Sequence, residues 1–196
     1  MGKLFAGLTA KGLKVKASGE TYRTIGQHYS RKEYIPSQKE FVKNTRAKVF
    51  RSNILANKGW VKGDFTNYKS PNQRQFHAEH WDALKNINRF GGYAWTPAQK
   101  IAAGKNIQNI GVAERQVNIA KGAKGIDKWL PPKNVKRFLR GIEKNRKDNK
   151  LLMSKEESTV FEKEMGRKPN VKIGLPVEQT KYCTTCHINH SIGKHR

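Results

Sequence analysis

The feature that most limits what this chain can fold into is its excess of positive charge. The 196 residues contain 40 Lys and Arg against 15 Asp and Glu, which gives a formal net charge of +25 at pH 7. Charge of one sign repels itself and destabilises a compact state, so an imbalance of this size indicates a polyanionic partner. With a sequence pI of about 10.3, the composition predicts binding to nucleic acid.

The composition also limits the size of the core. Only 36% of the residues are hydrophobic and the mean hydropathy is −0.82, so a core that holds the whole chain is not expected. We therefore predict a mainly α protein, with short helices on a small core and extended basic arms. The predicted units are a basic N-terminal arm at 1–35, a helical basic region at 36–166 and an extended tail at 167–196. No apolar run approaches the ~20 residues of a membrane span.

Capping residues and apolar spacing predict five helices and no convincing strand. A capping box at Ser37-Gln38-Lys39-Glu40 begins the first helix, and Ser154-Lys155-Glu156-Glu157 begins the last. The remaining predictions are a second helix over 72–90, a third from Thr96-Pro97 toward residue 120 and a fourth after Pro131-Pro132. Gly104 and Gly111 weaken the third and favour its division into two.

Basic side chains interleaved with tyrosines in 1–35 are typical of a segment that follows a phosphate backbone. Tyr22, Tyr29 and Tyr34 either stack on unpaired bases or anchor the arm to the protein core, and the sequence leaves both open. Seven of the fifteen acids fall in 143–178, so we expect that stretch to contact neighbouring proteins. The predicted phosphate contacts are Arg23, Arg31, Lys43, Arg46, Arg51, Arg137 and Arg140.

The C-terminal tail contains a pattern of metal-ligating residues. Cys183, Cys186, His190 and His195 form C-x2-C-x3-H-x4-H, and two thiolates with two imidazoles suit a tetrahedral zinc ion. The pattern resembles the zinc knuckle, whose spacing is C-x2-C-x4-H-x4-C. It differs by one residue in the middle and by His195 in place of the last Cys. The resemblance implies a compact zinc-binding element that contacts nucleic acid.

Other interpretations of the same tail remain open. The two Cys residues are free thiols, or they combine with distant ligands such as His77 or His80, which the sequence places on the predicted second helix. The run Cys183 to His187 also satisfies the c-type haem attachment pattern. Haem attachment needs an oxidising compartment, and no export signal is visible in the sequence, so we do not favour it.

The charge and the tail together favour a structural RNA-binding component of a large ribonucleoprotein over an enzyme. A ribosomal protein that neutralises and clamps rRNA is the specific prediction, intracellular and in the mitochondrial ribosome rather than the cytosolic one. The alternative is a DNA-binding protein packaged in a virion or nucleoid. A third hypothesis is a zinc-dependent nuclease.

A nuclease of the His-Asn-His type is a further possibility at His187, Asn189 and His190. Enzymes of that type need a hairpin-and-helix frame around one metal ion, with the general base set apart from the metal ligands. Three residues within a window of four do not supply this geometry. The sequence also lacks a phosphate-binding glycine loop, a dinucleotide fingerprint and a serine-protease triad, so no catalytic residue is predicted.

Overall fold

The computed structural model describes residues 22–23, 29–176, 180–183 and 189–191. In this part of the chain the fold is mainly α with several short strands, which confirms the predicted class at that level. No helix of the described residues has both the length and the apolar content that a membrane span requires. The helices are α1 Arg31–Tyr34, α2 Gln38–Glu40, a π-helical stretch Phe41–Arg46, α3 Ala47–Ala56, α4 Leu84–Arg89, α5 Pro97–Gly104, α6 Arg115–Lys121, α7 Val135–Asp148 and α8 Lys155–Met165.

The described strands form small sheets. β2 pairs with β3 and β4 with β5, both antiparallel, while β6 pairs with β7 in parallel. A three-stranded sheet has the order β1-β8-β9. The bounds are β1 Tyr22–Arg23, β2 Val61–Lys62, β3 Lys69–Ser70, β4 Phe76–His80, β5 Ile110–Glu114, β6 Leu152–Met153, β7 Lys172–Ile173, β8 Thr180–Cys183 and β9 Asn189–Ser191.

Three predicted helices are confirmed, and their caps explain why. The Ser37 hydroxyl accepts a hydrogen bond from the backbone N–H of Glu40 at the start of α2. Both halves of the second capping box are present at Ser154 and Glu157. The helix it begins, α8, ends at Gly166, whose φ of 72° is in the left-handed region that favours glycine. Helix α7 begins after Pro131-Pro132 as expected.

The second predicted helix is wrong, and the third is only partly right. Residues 76–80 form strand β4, and only 84–89 are helical in the second half of that region. The third helix ends at Gly104, where a Cβ would lie 2.1 Å from the Tyr34 carbonyl oxygen. Glycine is therefore required at this close approach of two backbones. Beyond it, residues 110–114 form β5, one of the short strands that the weak strand signals of the sequence did not locate.

Three hydrophobic clusters flank the β4–β5 pair. In the largest, Phe65 and Trp81 pack against Phe138 of α7 and Phe161 of α8. The second contains Tyr34, which is fully buried and donates its hydroxyl hydrogen bond to Asn88 Oδ1 at 3.0 Å. The third joins α3 to the two strands. Tyr34 therefore anchors the chain to the core, and the packed fold extends beyond the predicted limits of 36 and 166, because Val171 also packs against the largest cluster.

A buried arginine joins α7 and α8 to the segment that follows β4. Arg146 is 1% exposed and donates five hydrogen bonds, to the carboxylates of Asp82 and Glu157 and to the carbonyl of Leu152. The shortest of them is 2.6 Å, from Nη1 to Glu157 Oε2. Because both carboxylates are also buried, the position of Asp82 is fixed by charge pairing as well as by packing.

Candidate functional site

Strands β4 and β5 and helix α6 form a hairpin-and-helix unit. The strands are antiparallel, with Phe76 opposite Glu114 at one end and His80 opposite Ile110 at the other. Helix α6 begins at Arg115, directly after β5, and packs against both strands. The connection between the strands, residues 81–109, contains α4 and α5. The unit is thus assembled from segments that are distant in the sequence.

One face of this unit carries ionisable and amide side chains. Side chains alternate along a strand, so His77 and Glu79 share the face against which α6 packs. Asn118 Nδ2 and His77 Nδ1 are 2.9 Å apart. Lys121 Nζ donates to Glu79 Oε1 at 2.6 Å. The Lys121 side chain is 1% exposed and that of Glu79 is 17% exposed, so solvent reaches this face through Glu79.

Glu79 and Asn118 offer oxygen atoms that suit a hard divalent cation. The Asn118 amide nitrogen donates to His77 Nδ1, which leaves the amide oxygen Oδ1 as the atom that could bind an ion. Among the described residues, no group of three or more His, Cys, Asp or Glu side chains could hold a metal. A pair of oxygen ligands fits Mg²⁺, which keeps several water molecules and binds one or two protein carboxylates together with substrate phosphates.

His80, the last residue of β4, lies on the opposite face from Glu79 and is buried. Its Nε2 is 3.0 Å from the carbonyl oxygen of Gly104. A carbonyl only accepts, so Nε2 carries the proton and Nδ1 has the free lone pair. Burial lowers the pKa of His80 to about 4, and the positive charges of Lys121 and Arg31 act in the same direction. The imidazole is therefore neutral at physiological pH, as a general base must be.

Helix α1 brings a further positive charge to this region. The charge of Arg31 lowers the pKa of His80. Burial raises the pKa of Tyr29, while Arg31 lowers it and Glu79 raises it. Arg31 is exposed and was predicted from the sequence as a phosphate contact. The structure thus places it within electrostatic range of the groups that line the β4–β5–α6 unit.

Asn109 fixes the end of β4. Its amide nitrogen donates to the Asp82 carbonyl at 3.0 Å, and its amide oxygen accepts from the Asp82 backbone N–H at 3.0 Å. Trp81 also donates its backbone N–H to the Asn109 carbonyl at 2.8 Å. These three bonds close the connection 81–109 at its base. The backbone immediately after Glu79 and His80 is consequently held in one conformation.

The other predicted phosphate contacts are spread over several elements. Lys43, Arg51 and Arg140 are exposed on the π-helical stretch, α3 and α7. The Arg46 guanidinium lies 4.0 Å above the Phe50 ring. Arg137 pairs with Asp64 at 2.7 Å and remains 54% exposed. Arg23 lies in β1, opposite Tyr182 in the backbone register.

The predicted zinc ligands lie only partly in the described residues. Cys183 is the last residue of β8, and His190 lies in β9, where the backbone register pairs it with Lys181. Cys186 and His195 fall outside the described residues, as does His187. The zinc site therefore stays a prediction, and so does the interpretation of this tail as a zinc-knuckle-like element.

Sequence reasoning missed the β4–β5–α6 site because it assigned 72–90 to a helix. His77 and His80 were considered as a pair on one helical face, but on a strand they lie on opposite faces. The signal that could have revealed the unit is the short apolar run Ile110 to Ala113 directly before a helix. Its strand partner lies more than thirty residues earlier, which local patterns do not show.

Comparisons of the chain with protein-family models, with curated proteins and with solved structures give no match. The interpretation of the site therefore depends on the residues and contacts of this chain.

Proposed function

We propose that the protein is a metal-dependent nuclease whose active site lies on the β4–β5–α6 unit. The observation that carries the proposal is the hairpin-and-helix frame that presents Glu79, His80 and Asn118. It resembles the frame that nucleases of the His-Asn-His type require, in a different part of the chain from His187, Asn189 and His190. His80 ends β4 directly after Glu79, so the base and the ion ligand are separate residues at the same end of this strand.

Glu79 and Asn118 would hold a divalent cation, which supplies charge neutralisation at the phosphate when it is bound. His80 Nδ1 would act as the general base, a role that requires the packing over its buried imidazole to open to water. The oxygen of a water molecule forms a bond to phosphorus, the bond from phosphorus to the leaving oxygen breaks, and Nδ1 takes the proton that the water loses. Arg31, which is exposed, would add positive charge near the phosphate, where negative charge develops in the transition state.

The substrate class follows from the charge. A formal net charge of +25 concentrates polyanions at the surface and speeds their association. Lys43, Arg51 and Arg140 are exposed on helices outside the β4–β5–α6 unit, where they would contact phosphates that flank the scissile one. Their contribution is independent of sequence and falls as salt rises.

The experiment is a cleavage assay with single-stranded DNA, duplex DNA and RNA, with Mg²⁺ or Mn²⁺ and with a chelator. We expect cleavage that needs the cation and that falls about 10²- to 10⁴-fold in His80→Ala. Glu79→Gln should lose both cleavage and the heat of Mn²⁺ binding in calorimetry. The matched control is Glu164→Gln on α8. Full cleavage by Glu79→Gln and His80→Ala, or cleavage that survives the chelator, would refute the proposal.

A second candidate is the structural RNA-binding component of a ribonucleoprotein, with a mitochondrial ribosomal protein as its specific form. The exposed Arg51 on α3 and Arg140 on α7 favour it, because phosphate contacts of this kind suffice for a structural component that has no catalytic site. Purification of the native complex at low salt, followed by sequencing of the bound nucleic acid, separates the cases. Near-stoichiometric rRNA supports this candidate, whereas DNA supports a protein packaged in a virion or nucleoid.

The C-terminal zinc site is a separate proposal that fits either candidate. Zinc would order a tail with little apolar content. The Cys183→Ser, Cys186→Ser double variant should lose about one equivalent of zinc per chain. Glu143, Asp148 and Glu157 are paired within the chain, so the proposed contact of 143–178 with neighbouring proteins would use the other four of its seven acids.

A further inference from the structure

A cavity of about 550 Å³ lies beside the start of α6. Its lining does not include Glu79, His80 or Asn118. Phe76 and Glu114 form the last pair of the β4–β5 ladder at this end, and Glu79 lies three residues further along β4. At about 3.3 Å per strand residue, Phe76 and Glu79 are about 10 Å apart along β4. Its lining includes Thr66, Tyr68, Arg74, Gln75, Arg115 and Val117.

The aromatic wall of this cavity is held in place yet open to solvent. The Tyr68 side chain is 49% exposed. Its hydroxyl donates to Gln75 Oε1 at 3.2 Å, and its ring packs on the buried Phe76 with centroids 5.8 Å apart and an interplanar angle of 27°. Phe76 thus supports one part of the Tyr68 ring, while the exposed part is available to a ligand. A fixed, half-exposed ring is a stacking platform.

The charge around the cavity is positive where solvent reaches it. Arg74 and Arg115 are exposed, and neither forms an ion pair with a described residue. The acid in the lining is Glu114, whose carboxylate is turned inward: Oε1 accepts from the Thr66 hydroxyl, and Oε2 is buried. An apolar cavity with a supported ring and two outward guanidinium groups is complementary to a base with its flanking phosphates.

We propose that this cavity binds an unpaired nucleobase, which stacks on Tyr68 while Arg74 and Arg115 contact the adjoining phosphates. The proposal rests on the proposed function for the class of ligand, and it makes single-stranded nucleic acid the preferred substrate. A base in a duplex is stacked between its neighbours and cannot enter.

The test measures binding rather than cleavage, in the Glu79→Gln background with a chelator present. Fluorescence polarisation with single-stranded DNA, single-stranded RNA and duplex DNA of equal length gives three dissociation constants. Tyr68→Leu should weaken binding of the single strands about 5- to 150-fold and leave duplex binding within twofold. Tyr68→Phe, which keeps the ring, should bind as the parent does. The control is Trp60→Leu, because Trp60 is 48% exposed and lies outside the cavity lining.

The outcomes separate this proposal from the proposed function. Equal binding by Tyr68→Leu and its parent, or an equal loss for duplex and single strands, overturns the cavity proposal even if the wild type cleaves. A selective loss for single strands supports it even if the wild type shows no cleavage. Comparison of the DNA and RNA arms shows which nucleic acid supplies the base.

Discussion

Replacement of Arg146 by Met should destabilise the protein more than any other single change considered. The variant keeps the volume of the side chain but leaves Asp82 and Glu157 facing each other without a cation, with side-chain exposures of 1% and 2%. Removal of one partner from a buried ion pair costs about 3–5 kcal/mol. Because domains have only about 5–15 kcal/mol of net stability, we expect a partly unfolded protein at 37 °C.

The assay is urea unfolding followed by circular dichroism at pH 7 and at pH 5. The loss of stability in Arg146→Met should be smaller at pH 5, because protonation of Asp82 and Glu157 in the variant removes the repulsion between the two carboxylates. Arg167→Met is the control: its pair with Glu143 is half exposed at the arginine, and solvent screens such pairs, so this variant should lose much less stability than Arg146→Met. A triple variant, Arg146→Met with Asp82→Asn and Glu157→Gln, should recover part of the loss. A cost below about 1 kcal/mol at pH 7, or one that is the same at both pH values, would refute the argument.

Three further predictions concern the surroundings of the candidate site. His80 has a folded-state pKa of about 4, below its unfolded value of 6.5, so the unfolded chain binds more protons between these values. Stability should be constant above pH 6.5 and fall as pH drops from 6.5 toward 4, by about 2 kcal/mol at pH 5; urea titrations should show no such slope in His80→Gln, and an equal slope would contradict the assignment. Gly104→Ala should cost about 1–3 kcal/mol or more, because its Cβ meets the Tyr34 carbonyl; an unchanged melting temperature would show that α1 and α5 can separate freely. Asn109→Ala leaves the Asp82 backbone N–H and carbonyl unpaired, so the free energy of unfolding should fall by about 2 kcal/mol or more and cleavage should be reduced. A loss of stability with unchanged cleavage would show that the connection 81–109 does not position the candidate site.

The parts of the fold that the sequence predicts are those encoded by neighbouring residues. Ser37, Ser154 and Gly166 act on backbone groups within four positions, so their helices could be located without a structure. Pro131 and Pro132 likewise locate the start of α7, which begins at Val135. Composition predicts the charge of the surface, because exposed Lys and Arg side chains stay in solvent without a specific partner.

The parts that the sequence does not predict depend on contacts between distant segments. In β4, the run Phe76-His77-Ala78-Glu79-His80 is equally compatible with a helix until Ile110 to Glu114 are known to lie beside it. Glu79 and Asn118 have no detectable relation in the sequence, because 38 residues separate them and two helices intervene. The glycines were interpreted as helix breakers, whereas Gly111 is needed because a Cβ there would lie 2.7 Å from the Trp81 ring.

The candidate site is held by the whole fold rather than by the hairpin-and-helix unit alone. Helix α1 approaches Gly104, whose carbonyl fixes the tautomer of His80. Asp82 lies two residues beyond His80. Arg146 of α7 donates to its carboxylate and to that of Glu157 in α8, so both helices hold Asp82 in place. Glu79, whose side chain is 17% exposed, lies next to the buried imidazole of His80, and burial of a polar group is costly unless it is hydrogen-bonded. Packing explains how two adjacent residues can have such different surroundings: on one side of β4, Phe76 packs against α3 and His80 stacks on Phe41, while Glu79 on the side facing α6 keeps a partial exposure.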